Sequence, residues 1–474
     1  MPKTSGKRNR NKKSSTKKST KKKSSKQTSK NTQPENIPSN NDAPKSSKSE
    51  TEKRTKKHSH GFSIYIRRLL NSLNESSQIS EKVSKQMNKI LIIIVNRVVE
   101  IARNECISKG KKTMSPSEIK VALRVIFPED IYTEAINSAK EAMTRFFNAI
   151  VESTEKSTRR EARAEIIFPV ALVENFCRQN GSSKLALKEA TPIFTAAALE
   201  YFASEILEAA IYQVSEDKKV ILTPRHMYLA IQNDESLQYV FDQLQIRLMG
   251  SGTYPFIHPE LIPSEEKKKA NAARRRKARK DNNNNTKGTN GTRRSRPGTK
   301  ALSDIREQQK SVKILLQQQP FHRVIRNYAG ERIPRFSDNG LTSLQTFVEQ
   351  CLVNLFRDAQ ELALHANRET VFSSDLTLAW KMTYGKNFPR YNPTEEENFD
   401  KTTNNGIQRI AHRGGAKRVG KNVYDEARVL MFSMIKRIID SSVVFLQERN
   451  VITLKNNYLE TCLHHLGYNF VSVY

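Results

Sequence analysis

The sequence predicts an all-α protein of four similar helical units, and three observations carry that expectation. Apolar residues recur at three- and four-residue steps over several long runs, the spacing of one buried helix face. A layout of short helix, long helix, loop and short helix occurs four times along the 474 residues. The positive charge, +32 overall, is concentrated outside those runs.

The chain opens with an arm, 1–57, that holds 19 Lys/Arg against 4 Asp/Glu and few apolar residues, so it is expected to be disordered. Phe62 to Leu73 reads as a short helix. Val83, Met87, Ile90, Leu91, Ile94, Val95, Val98, Val99, Ala102 and Cys106 then form one stripe of a long helix. Lys111-Lys112-Thr113-Met114 is the loop. Ser115-Pro116-Ser117-Glu118 has the form of a capping box with proline at the first helical position. A further helix over about Asp130 to Phe147 closes the unit.

The second unit starts after Ser157 with a short helix over Val170 to Arg178. Thr191-Pro192 is the expected cap of a long helix whose stripe includes Ala196, Leu199, Ala203, Ile206, Leu207 and Ala210. Its loop carries Lys218-Lys219, and Thr223-Pro224 caps the next short helix. The stretch from Gly250 to Pro263 is too rich in Gly and Pro for regular structure. It is apolar enough, through Tyr254, Phe256, Ile257 and Leu261, to dock on something.

Residues 264–300 hold 14 Lys/Arg against 3 Asp/Glu and form a second basic stretch. Helices are expected over Ala301–Gln317 and Phe321–Tyr328. The clearest stripe follows, from Leu341 through Leu344, Phe347, Val348, Cys351, Leu352, Leu355, Phe356, Ala359, Leu362 and Ala363 to Ala366. Ser373 or Ser374 is the expected cap of the next short helix, with Asp375 in its first turn. After a connector with Glu395-Glu396-Glu397, the fourth unit has a short helix, a break at Gly414-Gly415, a long helix from Tyr424 to Gln447 and a short helix ending near Leu463.

Basic tails around nearly balanced helical units point to a polyanion, most plainly nucleic acid. Cys106, Cys177, Cys351 and Cys462 show no metal-ligand spacing and are expected to be buried free thiols. No signal peptide is expected, and the longest strongly apolar run, Ile90 to Val95, is too short to span a bilayer. No nucleophile–base pair, phosphate-cradling glycine loop or metal cluster suggests an enzyme, and no cofactor is implied.

Specific motifs go further. Ile64-Tyr65-Ile66 with Pro128 resembles core histone type 2B. Phe168-Pro169-Val170, Ala197-Ala198-Leu199-Glu200-Tyr201, Glu205-Ile206-Leu207-Glu208 and Pro224-Arg225-His226 resemble type 2A. Arg296-Pro297-Gly298-Thr299, Gln309-Lys310-Ser311, Pro320-Phe321 and His365-Ala366 resemble type 3. Arg413-Gly414-Gly415-Ala416-Lys417-Arg418 with Tyr424 resembles type 4. The chain thus looks like the four core histones fused head to tail, an arrangement similar to histones of giant DNA viruses.

That resemblance implies four histone folds at 58–150, 158–263, 296–388 and 407–474, paired as two handshake heterodimers. A basic linker at 264–295 and an acidic connector at 389–406 separate them. Two chains would form an octamer-like core that wraps double-stranded DNA, in a virion and in a viral factory or host nucleus. The residues it implies for DNA are Arg418, Lys417, Arg413, Arg335, Thr370, Thr453, Lys111, Lys112, Thr113, Lys218, Lys219, Arg178 and Arg296, holding phosphates without reading bases. Glu200, Glu205, Glu208, Asp234, Glu235 and Asp130 match an acidic patch that would receive basic peptides, with Ser138 and Ser236 replacing two further acids. His365, Arg368, Asp375 and Leu378 match a surface that would join two chains about a two-fold axis.

Departures are expected to weaken the grip. Val220 and Ile221 stand where type 2A has a loop threonine and arginine, Leu172 and Asn175 replace first-helix arginines, and Gln317-Gln318 replaces a basic pair. The expectation is a more open particle than a cellular nucleosome. The competing reading is a histone-fold regulatory scaffold acting mainly through protein contacts, and the retained Arg418, Arg335 and loop threonines weigh against it.

Overall fold

The computed structural model describes residues 61–152, 159–179, 185–262, 297–391 and 403–472. The tail 1–57, the linker 264–295 and residues 392–402 of the connector 389–406 lie outside them. The elements fall into four sequential groups, each built around one long helix. The first has α1 (Ser63–Leu73), β1 (Gln78–Ile79), α2 (Glu81–Ser108), β2 (Thr113–Met114), α3 (Pro116–Ile126) and α4 (Glu129–Glu152). The second has α5 (Arg160–Ala164), α6 (Val170–Gln179), β3 (Ala186–Leu187), α7 (Ala190–Glu216), β4 (Ile221–Leu222), α8 (Pro224–Asn233), α9 (Glu235–Gln243) and β5 (Ile246–Leu248). The third has α10 (Pro297–Lys310), α11 (Gln318–Ala329), β6 (Arg335–Phe336), α12 (Asp338–His365), β7 (Thr370–Val371) and α13 (Ser373–Thr383). The fourth has α14 (Asn404–Arg413), β8 (Arg418–Val419), α15 (Val423–Glu448), β9 (Thr453–Leu454), α16 (Asn456–His465) and β10 (Asn469–Val471).

The central helices α2, α7, α12 and α15 end in the same way. A residue with positive φ follows each: Gly110 at 62°, Lys218 at 52°, Asn367 at 56° and Asn450 at 52°. The next amide then reaches back five residues, Lys111 to Cys106, Lys219 to Val214, Arg368 to Ala363 and Val451 to Leu446, at 2.9 to 3.0 Å. This closure satisfies carbonyls the helix leaves open and turns the chain sharply into the loop. A left-handed lysine costs roughly 1–2 kcal/mol that a glycine does not, so the turn at Lys218 is held by the surrounding fold.

The groups pair through short parallel ladders. β1 pairs with β4 and β2 with β3, joining the first and second groups. β6 pairs with β9 and β7 with β8, joining the third and fourth. In each pair the loop before one long helix meets the loop after the other. This is the reciprocal handshake expected from the sequence, made twice in one chain. Two apolar cores result, one under each pair.

A fifth ladder, β5 with β10, ties the halves together. Beside it the cores exchange residues: Val471 is buried in the first core and Met249 in the second. The Gln86 amide on α2 donates to both Met249 O and Val471 O, at 3.0 and 3.2 Å.

Several local expectations need correction. The helix expected over 301–317 stops at Lys310, because the Leu315 and Leu316 amides are taken at 2.9 and 3.0 Å by the buried Glu349 carboxylate. Neither Ser373 nor Ser374 caps α13. Both lie in its first turn, and Asp375 accepts the Phe372 N–H at 2.9 Å instead. Thr191 is not a cap either: α7 begins at Ala190, and the buried Thr191 hydroxyl donates to Met114 O at 3.2 Å. Helices α5 and α9 have no counterpart among the expected elements, being too short to show a periodic stripe.

Candidate nucleic-acid interface

Alternation within the ladders sorts their residues. Neighbouring side chains of a strand point to opposite faces, and side chains paired across a parallel ladder share one. In the four handshake ladders the second positions include Leu222, Met114, Leu454 and Val371, all buried. The first positions face outward. They are Gln78 opposite Ile221, Thr113 opposite Ala186, Arg335 opposite Thr453, and Thr370 opposite Arg418.

The third and fourth groups therefore present an arginine beside a threonine at each of their ladders. Arg335 and Arg418 are exposed and make no side-chain hydrogen bond or ion pair among the described residues. Each strand also runs into a helix start: β6 into α12, β9 into α16, β7 into α13 and β8 into α15. Helix N-termini carry partial positive charge and unpaired amides. A free guanidinium, a hydroxyl and two helix starts converging on one spot suit a phosphate backbone and offer nothing base-specific.

The cations of the sequence analysis divide sharply. Lys112 and Lys218 are exposed and unpaired among the described residues. Arg413 needs correction: it is buried, and its guanidinium donates to Gln308 O and Lys313 O at 3.1 and 2.8 Å, bracing α14 against the end of α10. Lys417 is also withdrawn, bonded to Glu369 and to Leu261 O. Lys111 pairs with Glu118 at 2.6 Å, Lys219 with Asp217 at 2.9 Å, and Arg178 with Glu174. Arg296 lies outside the described residues. Two cations are missing from the sequence-based set: exposed Lys188 and Lys455 stand two residues beyond Ala186 and Thr453, where the outward row continues. The period of two was the signal available for them.

Glu118 shows why Lys111 is spent on the fold. Its carboxylate accepts the Ser115 N–H and hydroxyl at 2.8 and 2.6 Å, completing the expected capping box. Burial alone would raise its pKa, but the bonds from Lys111 and Ser115 carry it down to about 2. Asp375 repeats the device on α13, with the Arg368 guanidinium donating to both its oxygens at 2.8 and 3.0 Å. Against the upward push of burial, Arg368 and the Phe372 amide hold Asp375 below the usual carboxylate range. Arg368 and Asp375 are thus satisfied within the chain. His365 and Leu378 are exposed, and Phe372 and Met382 are exposed apolar neighbours that sequence reasoning missed. The four-residue step from Leu378 to Met382 marks one helix face.

The acidic residues divide too. Glu200 accepts the Ile167 and Phe168 amides, both at 2.7 Å, so it anchors the start of α6. Asp234 caps α9 through the Leu237 amide at 2.8 Å. Asp130 takes the Ser236 hydroxyl, which lowers its pKa and links the first group to the second. Glu208 and Glu235 are exposed, and Glu205 lies half-buried one turn from Glu208. Burial, and then the Glu205 charge, raise the pKa of Glu208.

Among the described residues no group of His, Cys, Asp and Glu could hold a metal ion, and no helix is long and apolar enough to cross a membrane.

Comparison with known proteins adds independent findings. A family model described as the core histone domain, covering types 2A, 2B, 3 and 4, matches residues 297–382. A type 2A histone of Tetrahymena pyriformis is 38% identical over 116 residues, covering 24% of this chain and 85% of that protein. A type 2A histone of Lodderomyces elongisporus is 38% identical over 114 residues, covering 24% of this chain and 86% of that one. Among solved structures, the histone from Methanopyrus kandleri aligns with 32% of this chain and 94% of its own, at 16% identity and a TM-score of 0.27.

Proposed function

The chain belongs to the core histone family, and on that premise we propose that it is a fused quadruplet of types 2B, 2A, 3 and 4, two copies of which form an octamer-like core that wraps double-stranded DNA. The observation that carries this reading is the pair of outward arginine–threonine ladders, Arg335 with Thr453 and Thr370 with Arg418. A scaffold that worked only through protein contacts would have no need of free arginines at both sites.

The second copy would join at the exposed face of His365, Leu378, Phe372 and Met382, and basic peptides would meet Glu205, Glu208 and Glu235. Two chains supply about +64 against roughly 290 phosphates on the 146–147 bp of a cellular nucleosome, so the wrap is looser and holds less DNA. Reconstitution on long DNA followed by micrococcal nuclease digestion tests the proposal. Wrapping gives a ladder of discrete fragments; a smear at every protein-to-DNA ratio means non-specific coating and rejects it. The resemblance to giant-virus histones extends the reading to a viral genome, and absence of the protein from purified virions would remove that part alone.

A further inference from the structure

Lys417 sits next to Arg418, yet it does the opposite of what a DNA contact should do. Alternation along β8 sends the two side chains to opposite faces, so Arg418 faces out and Lys417 faces in with Val419. The Lys417 ammonium donates to Leu261 O at 3.2 Å and to Glu369 at 3.0 Å. Its side chain is 9% exposed, whereas that of Glu369 is 45% exposed. Its stem also passes the start of α10, where a Cβ placed on Gly298 would lie 3.9 Å from Lys417 Cε. Leu261 is buried and belongs to the Pro259–Leu261 turn, the last described part of the segment following β5.

Three pieces of chain therefore meet along one lysine: the turn at Leu261 and the loop before β7 at its ammonium, and the start of α10 beside its stem. We infer that Lys417 is a latch that couples the DNA seat at the Thr370–Arg418 ladder to retention of the segment that carries Leu261. The ammonium cannot serve a phosphate while Glu369 and Leu261 O hold it. DNA gripped by Arg418 steadies β8, steadies Lys417 with it, and so tightens the hold of the second half on the first. Glu369 is the positioning residue that turns the lysine inward.

The inference rests on DNA binding as proposed above, and the experiment separates the two. Amide hydrogen exchange is followed at Leu261 and Ile262 in the full-length chain, with and without saturating double-stranded DNA, alongside the salt dependence of DNA affinity. Without DNA, Lys417→Gln and Glu369→Gln speed exchange at both amides about tenfold or more, and Lys417→Arg restores protection. DNA slows that exchange in the unmodified chain and has no effect on it in Lys417→Gln. Lys417→Gln leaves the slope of log affinity against log salt unchanged, while Arg418→Ala reduces it by about 0.9, one phosphate's worth. The latch is overturned if Lys417→Gln lowers the slope as Arg418→Ala does, if exchange is unaltered in both Lys417→Gln and Glu369→Gln, or if DNA slows exchange equally in Lys417→Gln. Failure of the unmodified chain to bind DNA would sink the proposed function, and the exchange arm without DNA would still judge the bonds at Leu261.

Discussion

The two halves of the molecule, 61–262 and 297–472, share their internal devices and differ at their outer edge. Glu200 in the first half and Glu349 in the second sit on long helices, and each carboxylate accepts two consecutive backbone amides. Glu118 and Asp375 each take the backbone amide at the start of a short helix and pair with a cation seven residues earlier. The handshake ladders have the same register and the same apolar second positions, one buried and one partly buried in each pair. Only the outward row differs: the first half shows Gln78, Ile221, Thr113 and Ala186, the second Arg335, Thr453, Thr370 and Arg418. The inward constraints that make the fold are thus separable from the outward residues proposed to hold DNA. On the proposed function, the arginine grip lies on the second half, and the first half offers its acidic surface instead.

The largest effect should come from breaking the shared interior. Glu349→Leu leaves two amides without their acceptor at a nearly dry site, at a cost of roughly 1–3 kcal/mol each. A fall in Tm is expected, larger than for Glu200→Leu because Glu349 is buried and Glu200 is half-buried. Equal or reversed losses in thermal unfolding would show that the two anchors are not equivalent.

Acid should separate the capping carboxylates, each bonded to a cation, from Glu200 and Glu349, which hold backbone amides without one. Glu118 titrates near 2 when folded, below its ordinary 4.5, so its contribution is complete above the ordinary value and is lost as pH falls from there toward 2. Burial raises the pKa of Glu200 and Glu349, so protonating them favours the folded state as pH falls through the range above 4.5. Replacing Glu118 with Gln should flatten the loss of stability below pH 4.5, measured by denaturant unfolding across pH. An unchanged profile contradicts the assignment.

A smaller effect is expected from making the halves alike. Ile221→Arg restores a guanidinium to the outward row of the first half, where Ile221 is already 49% exposed. Stability should change by no more than about 0.5 kcal/mol. The salt slope of DNA affinity should steepen by about 0.9. Steepening without any gain in nuclease protection would place that ladder off the DNA path.

Sequence reasoning reached the long helices because their stripes are fixed by burial, and through family motifs it reached the Arg418–Thr370 neighbours and named Arg335 and Thr453 without pairing them. It could not see that Arg413 is buried or that Lys417 faces inward, because a basic residue reads alike in a string whether its partner is a phosphate or a carbonyl far along the chain. Helix ends were equally opaque. Gly110, Lys218, Asn367 and Asn450 perform one turn with three residue types, since the geometry is imposed by the ladder and core on either side. Glu200 read as surface charge for the same reason: its two amide donors lie more than thirty residues away.

The most direct test of unequal grip compares two double substitutions in the full-length chain, Arg335→Ala with Arg418→Ala, and Gln78→Ala with Ile221→Ala, by the salt dependence of binding to double-stranded DNA. The first should reduce the slope by about 1.8 and the second should leave it unchanged. Equal changes from the two pairs, or no change from the arginine pair, would contradict the assignment of DNA binding to the second half.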